Sequence, residues 1–153
     1  GQLQLTPVDG IVLPAIAMTS DKDQCSFLNE AGRCSIHMFR PGFCRLFPLG
    51  RVYDGTGFSY FLQTGQCKKE HLAKVKVRQW INIPELKRYE QFVCDWHYFL
   101  KDLAKTSQGL SPELIKTLHS YILKVFYLTP YQDGSDFYDQ FYMRLNDAKK
   151  LFL

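Results

Sequence analysis

Four of the five cysteines in this chain lie within one stretch, between residues 25 and 67. The residues between them are mostly turn formers and large apolar side chains, without the length or the period of a long helix. A stretch built in this way needs more than a hydrophobic core to fix its loops. Four thiolates that bind one metal would meet that need, so these cysteines constrain the possible structures more than any other feature.

The candidate metal ligands are Cys25, Cys34, Cys44 and Cys67. Thiolates are soft ligands, and four of them suit tetrahedral zinc or an iron–sulfur cluster. Zinc ribbons and most ferredoxin-type sites, however, use close C-x2-C pairs, and this stretch contains none. Because cysteine is among the residues most often buried, the spacing alone leaves four unrelated buried cysteines as an equal alternative.

Neighbouring side chains also bear on this site. His37 could bind the metal, although we favour an aromatic packing role for its ring. Cys94 lies in a predicted helix beside its apolar stripe, so we interpret it as a buried structural thiol rather than a fifth ligand. Three arginines, Arg33, Arg40 and Arg45, lie near these cysteines in the sequence. Their positive charge favours thiolates and would offset the charge of a four-thiolate site. The alternative is that these arginines are surface residues or pair with Glu30 and Asp54.

Turn residues and prolines organise the front of the chain. Residues 9–10 mark a first turn, and residues 29–32 form a second, between two short arms that each carry a cysteine. Pro41 suits the first turn of a short helix that carries Cys44. Alternating residues at 51–62 predict a β-hairpin.

Apolar residues at steps of three and four predict three helices behind this front. The first begins at the cap Asn82 and ends near Gly109, the second begins at Ser111, and the third opens at residues 133–135. The predicted fold class is therefore α+β and mostly helical, with an irregular cysteine-rich metal-binding front and a small β-hairpin packed on three C-terminal helices. With 153 residues we expect a single domain, 1–153, with a cysteine-cluster core at 20–105 and a helical extension at 110–153.

Composition and charge limit the possible partners and location. The formal net charge is +4, and the basic residues are scattered apart from a group at 68–78, which favours a solvated face over a nucleic-acid surface. The sequence has no apolar run long enough to span a membrane and does not open with a signal peptide. We therefore expect a cytoplasmic protein with reduced thiols, whose partner is unknown and could be a protein substrate.

The cysteine-rich stretch resembles the YkgJ-type cysteine-cluster family of zinc- or iron-chelating domains. The family pattern is a C-x-F-L-x3-G-x-C-x-I-(Y/H)-x2-R-P-x2-C-R-x-(F/Y)-P run followed by a later cysteine, and the resemblance covers roughly residues 8 to 105. Members usually carry an earlier C-x2-C-x2-C-C cluster, but no cysteine precedes Cys25 here, so a site that needs both clusters would be incomplete in this chain. The matching residues are Cys25, Phe27, Leu28, Gly32, Cys34, Ile36, His37, Arg40, Pro41, Cys44, Arg45, Phe47, Pro48 and, as the later cysteine, Cys67.

The resemblance implies a metal or iron–sulfur site on the four cysteines. Such a site would be structural or electron-transferring. The alternative is an enzyme, either a protein-lysine N-methyltransferase like the flagellin lysine-N-methylases among the relatives or an iron–sulfur oxidoreductase. The sequence contains no phosphate-binding glycine loop and no nucleophile or zinc-protease motif, so it identifies no catalytic residue.

Overall fold

The computed structural model describes residues 1–19, 23–65 and 73–153. These residues form five α-helices and two separate antiparallel sheets of two strands, which confirms the α+β, mostly helical fold class. None of the helices within them is long and apolar enough to cross a bilayer. The strands are β1 (Leu3–Val8), β2 (Ile11–Ile16), β3 (Leu49–Tyr53) and β4 (Phe58–Leu62). The helices are α1 (Gly42–Leu46), α2 (Val77–Ile81), α3 (Leu86–Ser107), α4 (Pro112–Ile122) and α5 (Phe137–Phe152).

The chain divides into two compact units. The first unit comprises Gly1–Ser35 and Trp96–Leu153, and the second comprises Ile36–Asp95, so the boundary falls within α3. The single domain expected over residues 1–153, with its core at 20–105 and its extension at 110–153, stays a prediction.

The first unit begins with the hairpin of β1 and β2. Its turn is Asp9–Gly10, where both residues have positive φ values of 50° and 88°, as a two-residue hairpin turn of this kind requires. The predicted turn is therefore confirmed, but β2 continues beyond the expected stop at Pro14. Pro14 pairs with Leu5 in a sheet of only two strands, where a proline can face outward without removing a ladder hydrogen bond.

Aromatic side chains from three segments form the core of the first unit. The Trp96 ring lies 4.7 Å from that of Phe126 and 5.8 Å from that of Phe141, measured between centroids. Phe99 is 1% exposed, and these rings pack with tilted or edge-on geometry, which aromatic pairs prefer to face-to-face stacking. This cluster joins α3 to the helical segments behind it.

Two of the predicted helix starts are close to those observed. Ser111 caps α4 by accepting a hydrogen bond from the backbone N–H of Leu114, as predicted. Asp136 caps α5 by accepting from the backbone N–H of Asp139, so this helix begins slightly later than the turn at 133–135 suggested.

A π-helical segment, Leu123–Leu128, continues α4 without a break. Arg144 of α5 covers the end of this segment, since its guanidinium donates hydrogen bonds to the carbonyl oxygens of Val125 (2.6 Å), Thr129 (2.9 Å) and Pro130 (2.7 Å). The same guanidinium lies 3.9 Å from the ring centroid of Tyr131. One planar cation thus satisfies three carbonyl groups that the helix end leaves without intrahelical partners.

The second unit contains the predicted hairpin at 51–62, which is confirmed as β3 and β4. The carboxylate of Asp54 accepts hydrogen bonds from the backbone N–H groups of Thr56 (3.0 Å) and Gly57 (2.7 Å) in the turn. These hydrogen bonds stabilise the ionised carboxylate and lower the pKa of Asp54 below its ordinary value. Hydrogen bonds to the Asp54 side chain, rather than packing in a hydrophobic core, therefore fix this turn.

The prediction for Asn82 was wrong. Asn82 does not cap the long helix at its N-terminus; it ends the short helix α2 in a left-handed conformation with φ of 49°, and its N–H donates to the carbonyl of Arg78. Asparagine is common in both positions: its side-chain oxygen accepts a backbone N–H at a helix start, and it tolerates the left-handed region at a helix end. The long helix α3 then begins at Leu86, after the turn that contains Pro84.

We predict that Arg144→Lys lowers the free energy of unfolding by about 1–3 kcal/mol, because an ammonium cannot reach three carbonyl groups and the Tyr131 face at once. Chemical denaturation of the full chain measures this change. Lys116→Arg, the reverse exchange at an exposed position of α4, is the control and should change the midpoint little. Equal midpoints for Arg144→Lys and wild type would contradict this account of Arg144.

Candidate metal centre

Two of the predicted ligands lie on one small loop of the first unit. Cys25 pairs with Met18 in an isolated bridge, and its carbonyl accepts a hydrogen bond from the N–H of Leu28 (3.0 Å). Leu28 in turn pairs with Cys34. The two cysteines therefore lie on the two arms of a hairpin-like loop, as the sequence predicted.

The turn between these arms depends on Asn29. Its side-chain oxygen accepts hydrogen bonds from the backbone N–H groups of Ala31 (3.1 Å) and Arg33 (2.9 Å). Its backbone N–H also donates to the carbonyl of Arg33 (2.9 Å), and Gly32 adopts a positive φ of 70°. Asparagine is favoured in turns because its side chain bonds to nearby backbone, and glycine because it adopts positive φ values. These local interactions therefore set the spacing of the two arms that carry the cysteines.

The third predicted ligand, Cys44, lies on α1 in the second unit. Pro41 precedes the helix and Phe47 ends it, close to the predicted bounds. The Trp80 indole donates a hydrogen bond to the carbonyl of Phe47 (3.0 Å), which ties the end of α1 to α2. At its start, Gly42 lies against the Tyr89 ring so closely that a Cβ atom there would overlap the hydroxyl.

The chemistry of the described sulfurs fits a metal centre. Cys25, Cys34 and Cys44 are half-buried thiols rather than disulfides, and such thiols can become thiolate ligands. Cys67 lies outside the described residues, so the four-sulfur set is not tested as a whole. Within the described ranges, no three His, Cys, Asp or Glu side chains form a group that could hold a metal ion.

The neighbours of these cysteines differ in part from the expectation. His37 does not pack as an aromatic ring; its Nε2 accepts a hydrogen bond from the Arg40 guanidinium at 3.0 Å, and its ring is exposed. Arg45 donates to the carbonyl oxygens of Asn82 (3.4 Å) and Met38 (3.5 Å). Within the described part of the chain, neither arginine pairs with Glu30 or Asp54, the carboxylates that the sequence offers as alternatives.

Cys94 lies within α3. It is 9% exposed, and its thiol donates to the carbonyl oxygen of Thr56 at 3.8 Å. Burial raises the pKa of the Cys94 thiol, which favours the neutral form and disfavours metal binding. These features agree with the interpretation of Cys94 as a structural thiol.

The sequence missed one concave site in the second unit. A cavity of about 470 Å³ is lined by three arginines, of which two flank Cys44 in sequence and the third, Arg78, lies on α2. The signal in the sequence is the pair of arginines in the R-P-x2-C-R run, which the sequence alone presents as neighbours of thiols. Their association with Arg78 follows from the packing of α1 against α2.

Comparison with protein families confirms the resemblance. Residues 8–74 match the model of the CxxCxxCC family, described as "Putative zinc- or iron-chelating domain". The matched segment includes all four candidate ligands and ends before α2. Comparisons with curated proteins and with solved structures gave no match.

We predict that Gly42→Ala destabilises the chain by about 1–3 kcal/mol, because the new methyl group would displace the Tyr89 ring that packs on α1. Helix propensity alone predicts that this substitution stabilises the chain, since alanine is favoured over glycine by about 1 kcal/mol in a helix. Denaturant unfolding measures the change. Gly109→Ala is the control, because no atom lies within 4 Å of its added Cβ. A stabilised Gly42→Ala variant would show that Tyr89 does not restrict this position.

Proposed function

We propose that the zinc- or iron-chelating domain at residues 8–74 holds one metal centre on four cysteines, and that this centre is structural or electron-transferring. The proposal rests on one observation: the segment that matches the family model contains all four of the proposed cysteine ligands. The proposed ligands are Cys25, Cys34, Cys44 and Cys67. Zinc and an iron–sulfur cluster both suit four thiolates.

Local structure supports the donor role of the described cysteines. The loop that carries Cys25 and Cys34 is fixed by the Asn29 side chain, so both thiols are held on a short, restrained backbone. The helix that carries Cys44 is restrained at its end by Trp80. Ligands held in this way lose little conformational freedom when they bind, which favours a tight site.

Charge is a further support. Four thiolates with one Zn²⁺ carry a formal charge of about −2, which adjacent cations stabilise. Arg33 directly precedes Cys34, and Arg45 directly follows Cys44. The guanidinium group stays protonated at any physiological pH, so this compensation does not depend on titration.

The proposed ligand set determines what the centre would do. With four protein ligands, a zinc ion has no open position for water or substrate, so hydrolysis at the metal is disfavoured. The centre would instead supply cross-links between loops or a site for one-electron transfer. Since ligand binding to the folded state stabilises it, loss of the metal should destabilise the loop. Thiolate ligands persist in reducing surroundings, and we therefore place the chain in the cytoplasm.

The test is metal analysis of the full chain purified without oxygen. We expect about one zinc ion or one iron–sulfur cluster per chain, and a visible absorption band in the second case only. Cys34→Ser and Cys44→Ser should each lose most of the metal and lower the melting temperature, because hydroxyl groups are poor ligands for soft metals.

Cys94→Ser is the matched control, since it removes a thiol of the same chain that lies outside the proposed set. It should keep the metal content of wild type. A chain that holds no metal after anaerobic purification and does not take up added zinc would refute the metal proposal. A Cys94→Ser variant without metal, beside a Cys34→Ser variant that keeps it, would refute the ligand assignment.

A further inference from the structure

The described lining of the arginine-lined cavity belongs to the second unit and includes no cysteine. Its volume is about 470 Å³, within the usual range of about 300–1,000 Å³ for small-molecule pockets. The lining comes from the residues around the single turn His37–Phe39, from α1, from α2 and from the segment that links α2 to α3. The lining residues are His37, Met38, Arg40, Arg45, Arg78, Asn82, Ile83 and Pro84.

The charge of this lining is positive. Three of its described members are arginines, and none of the described members is an acid. Glu85 follows the last lining residue, but its carboxylate pairs with Arg88 at 3.3 Å. Three like charges around one concavity repel one another, and an anion inside it would relieve that repulsion.

The hydrogen bonds of the arginines leave capacity for a ligand. Arg45 donates only to carbonyl oxygens, at 3.4 Å and 3.5 Å, which orient the guanidinium without neutralising it. Arg40 donates from Nη1 to His37, whereas its Nε is buried and has no hydrogen-bond partner among the described residues. Neither set of hydrogen bonds supplies a negative charge, so both guanidinium groups keep their attraction for an anion.

We propose that this cavity binds a small organic phosphate. A tetrahedral phosphate group carries about 1.5 to 2 negative charges near neutral pH and accepts hydrogen bonds in several directions, which suits three guanidinium groups from different segments. Met38, Ile83 and Pro84 form an apolar wall beside them, and Met38 is 78% exposed. The apolar wall and the volume favour a ligand with an organic body over a bare inorganic ion.

The binding of phenyl phosphate to the full chain tests this proposal, measured by isothermal titration calorimetry at low salt. We expect saturable binding that weakens roughly tenfold or more in Arg40→Gln and in Arg78→Gln, because each variant removes a charged donor. Arg78 is exposed, so Arg78→Gln keeps the test valid if Arg40→Gln does not fold. Lys116→Gln removes the same charge from the surface of α4 and should keep the affinity within about twofold.

Benzoate and inorganic phosphate serve as the comparison ligands. Both should bind more weakly than phenyl phosphate, since the first lacks the tetrahedral dianion and the second lacks the apolar body.

Wild-type protein that does not bind phenyl phosphate, or a Lys116→Gln variant weakened as much as Arg78→Gln, would overturn the site. Benzoate of equal affinity would overturn the assignment to phosphate, and inorganic phosphate of equal affinity would overturn the role of the apolar wall. Since none of the described cysteines lines the cavity, a failure to bind phenyl phosphate would leave the metal proposal standing.

Discussion

The cysteine-bearing segment buries very little apolar surface, and the rest of its structure depends on that fact. Between residues 12 and 65, Gly50 is the only residue in the described part that is fully buried. Met38, Phe39 and Phe43 are 78%, 87% and 59% exposed, although residues of these types are normally among the most buried. The hydrophobic effect therefore cannot hold this segment as it holds the aromatic cluster around Trp96. Directional interactions have to supply the order instead.

Side chains that bond to nearby backbone provide part of this order. Asn29 and Asp54 each satisfy two N–H groups in a turn, and Trp80 holds the end of α1. Each such hydrogen bond contributes only about 0.5–1.5 kcal/mol, which does not exceed the entropy cost of ordering the residues concerned. Metal binding to four thiolates contributes several times more, and its free energy becomes folding free energy when the site forms only on folding. The scarcity of core is thus a physical reason to expect metal, separate from the family match.

Periodicity and turn chemistry predicted much of the fold, because both act over a few residues. The turn at 9–10, the hairpin predicted at 51–62 and the starts of α4 and α5 follow from such local patterns. The short helix α2 was missed, since five residues are too few to show a helical period. Asn82 was misassigned because the same residue type favours the end of one helix and the beginning of another. The ligand types followed from thiolate chemistry, but their spatial arrangement depends on long-range packing, which spacing in the sequence does not encode.

The R-P-x2-C-R run illustrates how one local motif can serve two sites. Consecutive residues of an α-helix point about 100° apart around its axis, so Cys44 and Arg45 on α1 present their side chains in different directions. Arg45 lines the arginine cavity together with Arg40 and Arg78, whereas Cys44 is absent from that lining. A thiolate directly inside an anion-binding cavity would repel its ligand. In the two proposals, Cys44 serves the metal centre and Arg45 serves the anion site, although the two residues are adjacent on α1.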